Sequence, residues 1–115
     1  MRYSRGDVVL VLYPDSNLRT AKRRPAIVVQ RDNLQSGLSQ VILAMISSNL
    51  ARAGYPSRVY IAHSSREGQQ MGLRTDSVLM TDNLATVLEI EIDRQLGHLS
   101  DMSAVDMALR HTLGL

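Results

Sequence analysis

The apolar residues of this chain occur in short runs separated by turn residues, and this pattern limits the folds open to it. The runs have the length and β-branched content of strands rather than of helices. The strands predicted from them lie at residues 8–13, 26–30, 40–46, 57–62, 77–80 and 85–92. Many short strands in succession predict a mainly β fold, either a strongly bent antiparallel sheet or a half-open barrel.

The C-terminal segment changes to a helical period. Ser100 is a good N-cap residue, Asp101 falls in the first turn, and Gly114 is a suitable C-terminal stop. Between them the apolar residues recur at helical spacing, at Met102, Val105, Ala108, Leu109 and Leu113. We predict one terminal helix of about three turns, packed at the end of the sheet.

Length and cysteine content restrict the class of protein. A chain of 115 residues is expected to form one domain, residues 1–115. It contains no cysteine, which excludes disulfides and thiolate metal sites. Its apolar runs are too short to cross a membrane, and its charged N-terminal segment lacks the apolar core of a signal peptide. We therefore expect a cytoplasmic protein.

Positive charge is concentrated in the first half of the chain. Residues 1–58 carry nine Lys and Arg against three Asp, whereas residues 59–115 carry four Arg against eight acidic residues. Twelve of the thirteen cations are arginine, whose planar guanidinium binds phosphate through parallel hydrogen bonds. This asymmetry favours a polyanionic partner. The alternative is an ordinary solvated surface in an arginine-rich protein.

The usual motifs for metal, nucleotide and acid–base sites are missing. The three histidines follow no metal-binding spacing, and the glycines are isolated rather than gathered in a phosphate-binding loop. Glu89, Glu91 and Asp93 alternate, which is more typical of a solvated strand face than of a catalytic carboxylate pair. We therefore expect neither a metal nor a cofactor.

The segment Lys22-Arg23-Arg24-Pro25 is the strongest candidate for a binding site. Pro25 denies Arg24 a helical conformation, and the apolar residues that follow begin a buried strand. Arg24 is therefore expected at the entrance of a strand and anchored by the core behind it. An arginine in this position can hold either a phosphate or a carboxylate.

Two serines, Ser47 and Ser48, end the next predicted strand. If the two strands pair as antiparallel neighbours, the Arg24 guanidinium lies near the Ser47 hydroxyl, and both can bind one phosphate. The alternative is structural, with Arg24 paired to an acid such as Asp82 and the serines merely capping the strand.

Six segments of the chain together resemble the MazF/PemK toxins of type II toxin–antitoxin systems. They are RGDV at residues 5–8, RPAIVV at 24–29, ILAMIS at 42–47, PSRV at 56–59, GLRTDSVL at 72–79 and LGHLS at 96–100. Their order and spacing cover nearly the whole chain. The resemblance implies an SH3-like antiparallel barrel with a C-terminal helix, a homodimer, and a cognate antitoxin protein as partner.

The resemblance also implies an activity, which is metal-independent, sequence-selective cleavage of single-stranded RNA. The 2′-hydroxyl would attack the adjacent phosphorus and leave a 2′,3′-cyclic phosphate and a 5′-hydroxyl. Arg24 and Ser47 would be the catalytic residues, and Ser47 stands where the family usually has threonine. RNA-binding roles would fall to Arg19, Lys22, Arg23, Ser48, Asp82 and Asn83.

The chain departs from the family pattern in one strand. Relatives often carry R-x-x-D-x-x-R where this sequence has Ala85, Leu88 and Glu91, which leaves open a module that binds RNA or a peptide without cleavage. Another alternative is a toxin of the same barrel that binds a protein such as gyrase. That type relies on a terminal helix with an exposed aromatic residue at its end, and this chain ends without one.

Overall fold

The computed structural model describes residues 2–115 and consists of one antiparallel sheet with a C-terminal helix. The strands are β1 (Asp7–Pro14), β2 (Ala21–Val28), β3 (Gln40–Ser47), β4 (Arg58–Ile61), β5 (Ser77–Leu88) and β6 (Ile92–His98). The helices are α1 (Arg66–Gln70) and α2 (Ser103–Leu113), with 3₁₀ turns at Leu50–Arg52 and Glu89–Glu91. None of the helices in residues 2–115 is long and apolar enough to cross a membrane.

The strands form a single sheet in the order β4-β5-β3-β2-β1-β6, so β4 and β6 are its two free edges. The sheet nevertheless curls. Tyr13 of β1 is fully buried, and its hydroxyl donates a 2.6 Å hydrogen bond to the carbonyl of Asn83 in β5, two strands beyond β2. Burial raises the pKa of this phenol. The predicted barrel-like antiparallel sheet with a terminal helix is confirmed, with the barrel open between β4 and β6.

Side-chain alternation along the strands gives the sheet two apolar faces. In β1, Val9 and Val11 pack into one cluster with Val28 and Leu43, whereas Val8 packs into the other. The second cluster is covered by residues that follow α1 and by one side of α2: Met71, Leu73, Leu99 and Val105. Both faces are thus withdrawn from water, which is why the apolar runs are short but nearly continuous.

Several predicted boundaries are wrong. The second strand is predicted to begin at residue 26, but Ala21 already begins β2 because residues 21–24 pair with β1. The segments 77–80 and 85–92 are not two strands, since 77–88 is one strand with a bulge at residues 81–83. Residues 89–91 form a 3₁₀ turn instead of an alternating strand face.

Two further predictions about the second half need correction. No helix is predicted between the strands at 57–62 and 77–80, but this segment contains α1, whose N-cap Ser65 accepts a hydrogen bond from the backbone N–H of Gly68. No strand is predicted between residue 92 and the terminal helix, but residues 92–98 form β6.

The terminal helix was correctly predicted, although it begins later than expected. It starts at Ser103 rather than after Ser100, and Asp101 accepts hydrogen bonds from the Ser103 backbone N–H and hydroxyl. These bonds lower the pKa of Asp101. Gly114 ends the helix in the left-handed conformation, as predicted. Arg5 ties the N-terminal segment to this helix through a 2.6 Å ion pair with Asp106.

Candidate functional site

Arg24 was expected at the entrance of a strand but lies in the middle of β2, because residues 21–24 pair with β1, whereas Ser47 is the last residue of β3. Ala26 of β2 pairs with Met45 of β3. Continuing this antiparallel register by two residues puts Arg24 opposite Ser47. Side-chain alternation then gives both residues the same face as Met45. The expected pairing of these two strands is therefore present.

The guanidinium of Arg24 is only partly satisfied. Its Nη2 lies 3.4 Å from Oδ1 of Asp15, while its Nε is buried without an acceptor among residues 2–115. A buried donor without a partner costs about 1–3 kcal/mol. An oxygen atom of a bound phosphate would satisfy this donor and would also meet the positive charge beside it.

Arg24 does pair with an acid, as the structural alternative predicts, but the acid is Asp15 rather than Asp82. The Thr20 hydroxyl donates a 2.6 Å hydrogen bond to Asp15. This bond, more than the contact with Arg24, lowers the pKa of Asp15. Asp15 therefore stays ionised into mildly acidic solution and holds one end of the guanidinium while Nε remains free.

Ser47 is 7% exposed and is the last residue of β3. Its Oγ accepts a 3.1 Å hydrogen bond from the backbone N–H of Asn49. Since that bond uses only an oxygen lone pair, the hydroxyl proton remains available to a ligand. The serine thus caps the strand, as the structural alternative predicts, and still has a donor to offer to a phosphate oxygen.

A cavity of about 410 Å³ opens at the same end of the sheet. Arg23, Arg24 and Ser48 line it, so three of the residues predicted from the sequence meet in one place. Arg74 and Arg94 complete the basic lining. These two arginines were missed as site residues because each is an isolated cation in its own segment, and only the fold brings them to β2.

The remaining predicted RNA-binding residues do not line this cavity. Arg19 and Lys22 are exposed near the turn between β1 and β2. Asp82 accepts two hydrogen bonds from Arg58, which lower its pKa. The side-chain amide of Asn83 lies 3.6 Å from the sulfur of Met45. The Asp82 carboxylate is therefore bound by Arg58, and the Asn83 side chain lies close to β3.

Histidine and acidic residues form no metal site in the part of the chain that the structure describes, where no three such side chains come together. His98 instead contacts the buried carboxylate of Asp7 through Nδ1 at 2.7 Å. Asp7 also accepts a hydrogen bond from the Ser4 backbone N–H. This pair joins β6 to the start of β1, which explains His98 structurally.

Comparison with known proteins decides the family. The family model described as PemK-like, MazF-like toxin of type II toxin–antitoxin systems matches residues 4–113. The chain belongs to this family. The PemK/MazF-like chain is also similar to endoribonuclease MazF2 of Mycobacterium bovis and to endoribonuclease MazF6 of Mycobacterium tuberculosis. It is 35% identical to each over 107 residues, which cover 90% of this chain and 90% of each relative.

Solved structures support the fold of this MazF-like chain. A mycobacterial endoribonuclease in complex with its cognate antitoxin has a TM-score of 0.74 and 20% identity, with 98% of this chain and 96% of that chain covered. MazF from Deinococcus radiodurans has a TM-score of 0.72 at 20% identity, covering 98% and 97%. At this identity the likeness concerns the arrangement of the backbone alone.

Proposed function

We propose that the chain is the toxin of a type II toxin–antitoxin system and acts as an endoribonuclease on single-stranded RNA. The observation that carries this proposal is the buried, unsatisfied Nε of Arg24. Ser47, with its unused hydroxyl proton, takes the corresponding position on the neighbouring strand. Family membership and the similarity to endoribonucleases of the MazF type support an RNA phosphate as the anion that Arg24 binds.

RNA carries its own nucleophile in the ribose 2′-hydroxyl, so the protein has only to orient the phosphate and stabilise charge. As the 2′-hydroxyl loses its proton to solvent and its oxygen bonds to phosphorus, negative charge develops on the phosphate oxygens. The bond to the 5′-oxygen of the next nucleotide then breaks, and that oxygen takes up a proton from solvent. Arg24 stabilises that charge, and Ser47 donates to a phosphate oxygen. The products are a 2′,3′-cyclic phosphate and a 5′-hydroxyl, without the need for a metal.

The positions that depart from the family pattern lie away from Arg24 and Ser47. Ser47 pairs with Val78 near the start of β5. Because of the bulge at residues 81–83, Ala85 pairs with Leu43, four residues before Ser47 in β3 and about 13 Å along that strand at the usual rise per residue. Leu88 and Glu91 lie further on. We therefore expect these substitutions to leave cleavage at Arg24 and Ser47 intact.

The proposed partners follow from the same features. The free edges β4 and β6 offer unpaired backbone groups to a second copy of the chain, which supports a homodimer. The arginine-lined cavity is suited to an acidic segment of a cognate antitoxin, and a related mycobacterial endoribonuclease was solved with its antitoxin. We place this system in the cytoplasm, where messenger RNA is found.

The test is incubation of the purified protein with a long single-stranded RNA in EDTA, followed by mapping of the fragment ends. We expect cleavage at a restricted set of sequences, with cyclic phosphate on one side of each cut and a 5′-hydroxyl on the other. Fragments with 5′-phosphates, or cleavage only after a metal is added, would contradict the proposed chemistry.

Replacing Ser47 with alanine tests the second proposed catalytic residue. The expected result is a loss of about a hundredfold in cleavage rate, the usual effect of removing one donor to a developing oxyanion. The free energy of unfolding should fall by about 1 kcal/mol, since the Asn49 N–H loses its acceptor. Ser47→Thr keeps the hydroxyl and should restore most of the rate, whereas a folded Ser47→Ala protein that cleaves at close to the parent rate would reject a catalytic role for the serine.

A further inference from the structure

The cavity beside Arg24 has a lining that the cleavage chemistry alone does not require. Arg74 enters it from the segment between α1 and β5, and Arg94 enters it from β6. No carboxylate in residues 2–115 lies within ion-pair distance of either guanidinium, whereas Arg23 has Asp93 at 3.7 Å. Two arginines without a counter-charge in one cavity indicate a ligand rich in hydrogen-bond acceptors, since arginine can only donate.

The rest of the lining indicates more than a phosphate group. Leu10, Pro25, Ile46 and Leu96 give the cavity an apolar wall against which a flat ring can lie. Its volume of about 410 Å³ is within the range of small-molecule sites and leaves ample room for a base and its sugar. Ser48 and Thr75 add hydroxyl groups to this wall.

The cavity adjoins the proposed cleavage site directly. Arg24 lines it, and Ser48 follows Ser47 in the chain. Arg24 therefore belongs both to the proposed cleavage site and to the lining of the cavity. An RNA strand that crosses this end of the sheet can place its reacting phosphate at Arg24 and a neighbouring nucleotide in the cavity.

We propose that this cavity binds one unpaired nucleotide next to the cleaved bond and selects guanine. Guanine presents two adjacent acceptors, N7 and O6, which match the paired donors of an arginine, whereas adenine carries an amino donor beside N7. The two hydroxyls can accept from the N1–H and amino group of guanine. The inference rests on the proposed ribonuclease function and adds to it the residues that determine sequence preference.

Binding can be measured without cleavage by using 2′-fluoro pentanucleotides, which lack the attacking hydroxyl. The probes are four uridine-based oligonucleotides with guanine, adenine, cytosine or uracil at the central position, and fluorescence anisotropy gives their affinities. The wild-type chain should prefer the guanine probe by about tenfold or more over the adenine probe, the discrimination expected of one good arginine–guanine contact.

The double variant Arg74→Gln/Arg94→Gln should bind all four probes with similar affinity. The matched control is Arg31→Gln/Arg110→Gln, which removes the same charge from exposed positions outside the cavity and should keep the guanine preference. Circular dichroism checks that both double variants are folded. This comparison separates recognition of the base from a general loss of positive charge.

The two proposals fail in different ways. Equal affinity of the wild-type chain for the four probes, or a guanine preference that survives in Arg74→Gln/Arg94→Gln, would overturn the base-selecting cavity even if RNA is cleaved. A guanine preference that depends on Arg74 and Arg94, together with no cleavage of unmodified RNA, would support the cavity and reject the ribonuclease function.

Discussion

Replacing Arg24 with alanine is expected to lower the rate of RNA cleavage by about a thousandfold or more, with little change in stability. Arginines that stabilise a phosphoryl transition state contribute about 10³–10⁵ to the rate. The fold should tolerate the change because Nε has no acceptor to lose and the contact with Asp15 is long, at 3.4 Å. Initial rates in EDTA measure the first effect, and chemical denaturation measures the second.

Two control variants separate catalysis from charge. Arg24→Lys keeps the positive charge but loses the planar pair of donors, so most of the loss should remain. Arg19→Ala removes an exposed cation near the turn between β1 and β2 and should weaken RNA binding only a few-fold. A folded Arg24→Ala protein that cleaves at close to the parent rate would mean that the reacting phosphate lies elsewhere.

The strands that could be predicted from the sequence are those whose side chains alternate or are buried on both faces. Residues 8–13 and 40–46 meet this condition, and the structure extends each by only a residue or so. The start of β2 at residues 21–24 was missed because exposed polar side chains do not show the pattern of a strand. These residues are part of a strand because their backbone pairs with β1. β6 was missed for the same reason, since most of its side chains are exposed or half-buried.

The residues of the candidate site likewise differ in whether the adjacent sequence marks them. Arg24 was found because Pro25 and the strand behind it are adjacent in sequence, and Ser47 was found because it ends the following strand. Arg74 and Arg94 belong to segments far from β2 in the sequence, and although Arg74 lies in the GLRTDSVL segment of the resemblance, nothing in the sequence assigned either arginine to the site. Their position depends on how the segment after α1 packs against β6, a long-range contact that local sequence does not encode.

That contact can be tested at Gly72, where alanine is expected to lower the free energy of unfolding by about 3 kcal/mol. Gly72 has φ = +71°, and a Cβ built there would lie 2.2 Å from the backbone carbonyl oxygen of Leu96 in β6. A left-handed conformation costs a residue with a Cβ about 1–2 kcal/mol, and overpacking against backbone adds about 1–3 kcal/mol. Denaturation midpoints with a common slope measure the sum.

Gly37→Ala is the matched control, since Gly37 has φ = +77° but nothing lies within 4 Å of its Cβ position. Both variants carry the cost of the left-handed backbone, so their difference, expected at about 2 kcal/mol, isolates the clash with Leu96. Equal destabilisation of the two variants would show that the segment after α1, which carries Arg74, moves away from β6 without a cost in free energy. In that case Gly72→Ala should leave RNA base preference unchanged, whereas a segment held against β6 would carry Arg74 out of position and weaken that preference.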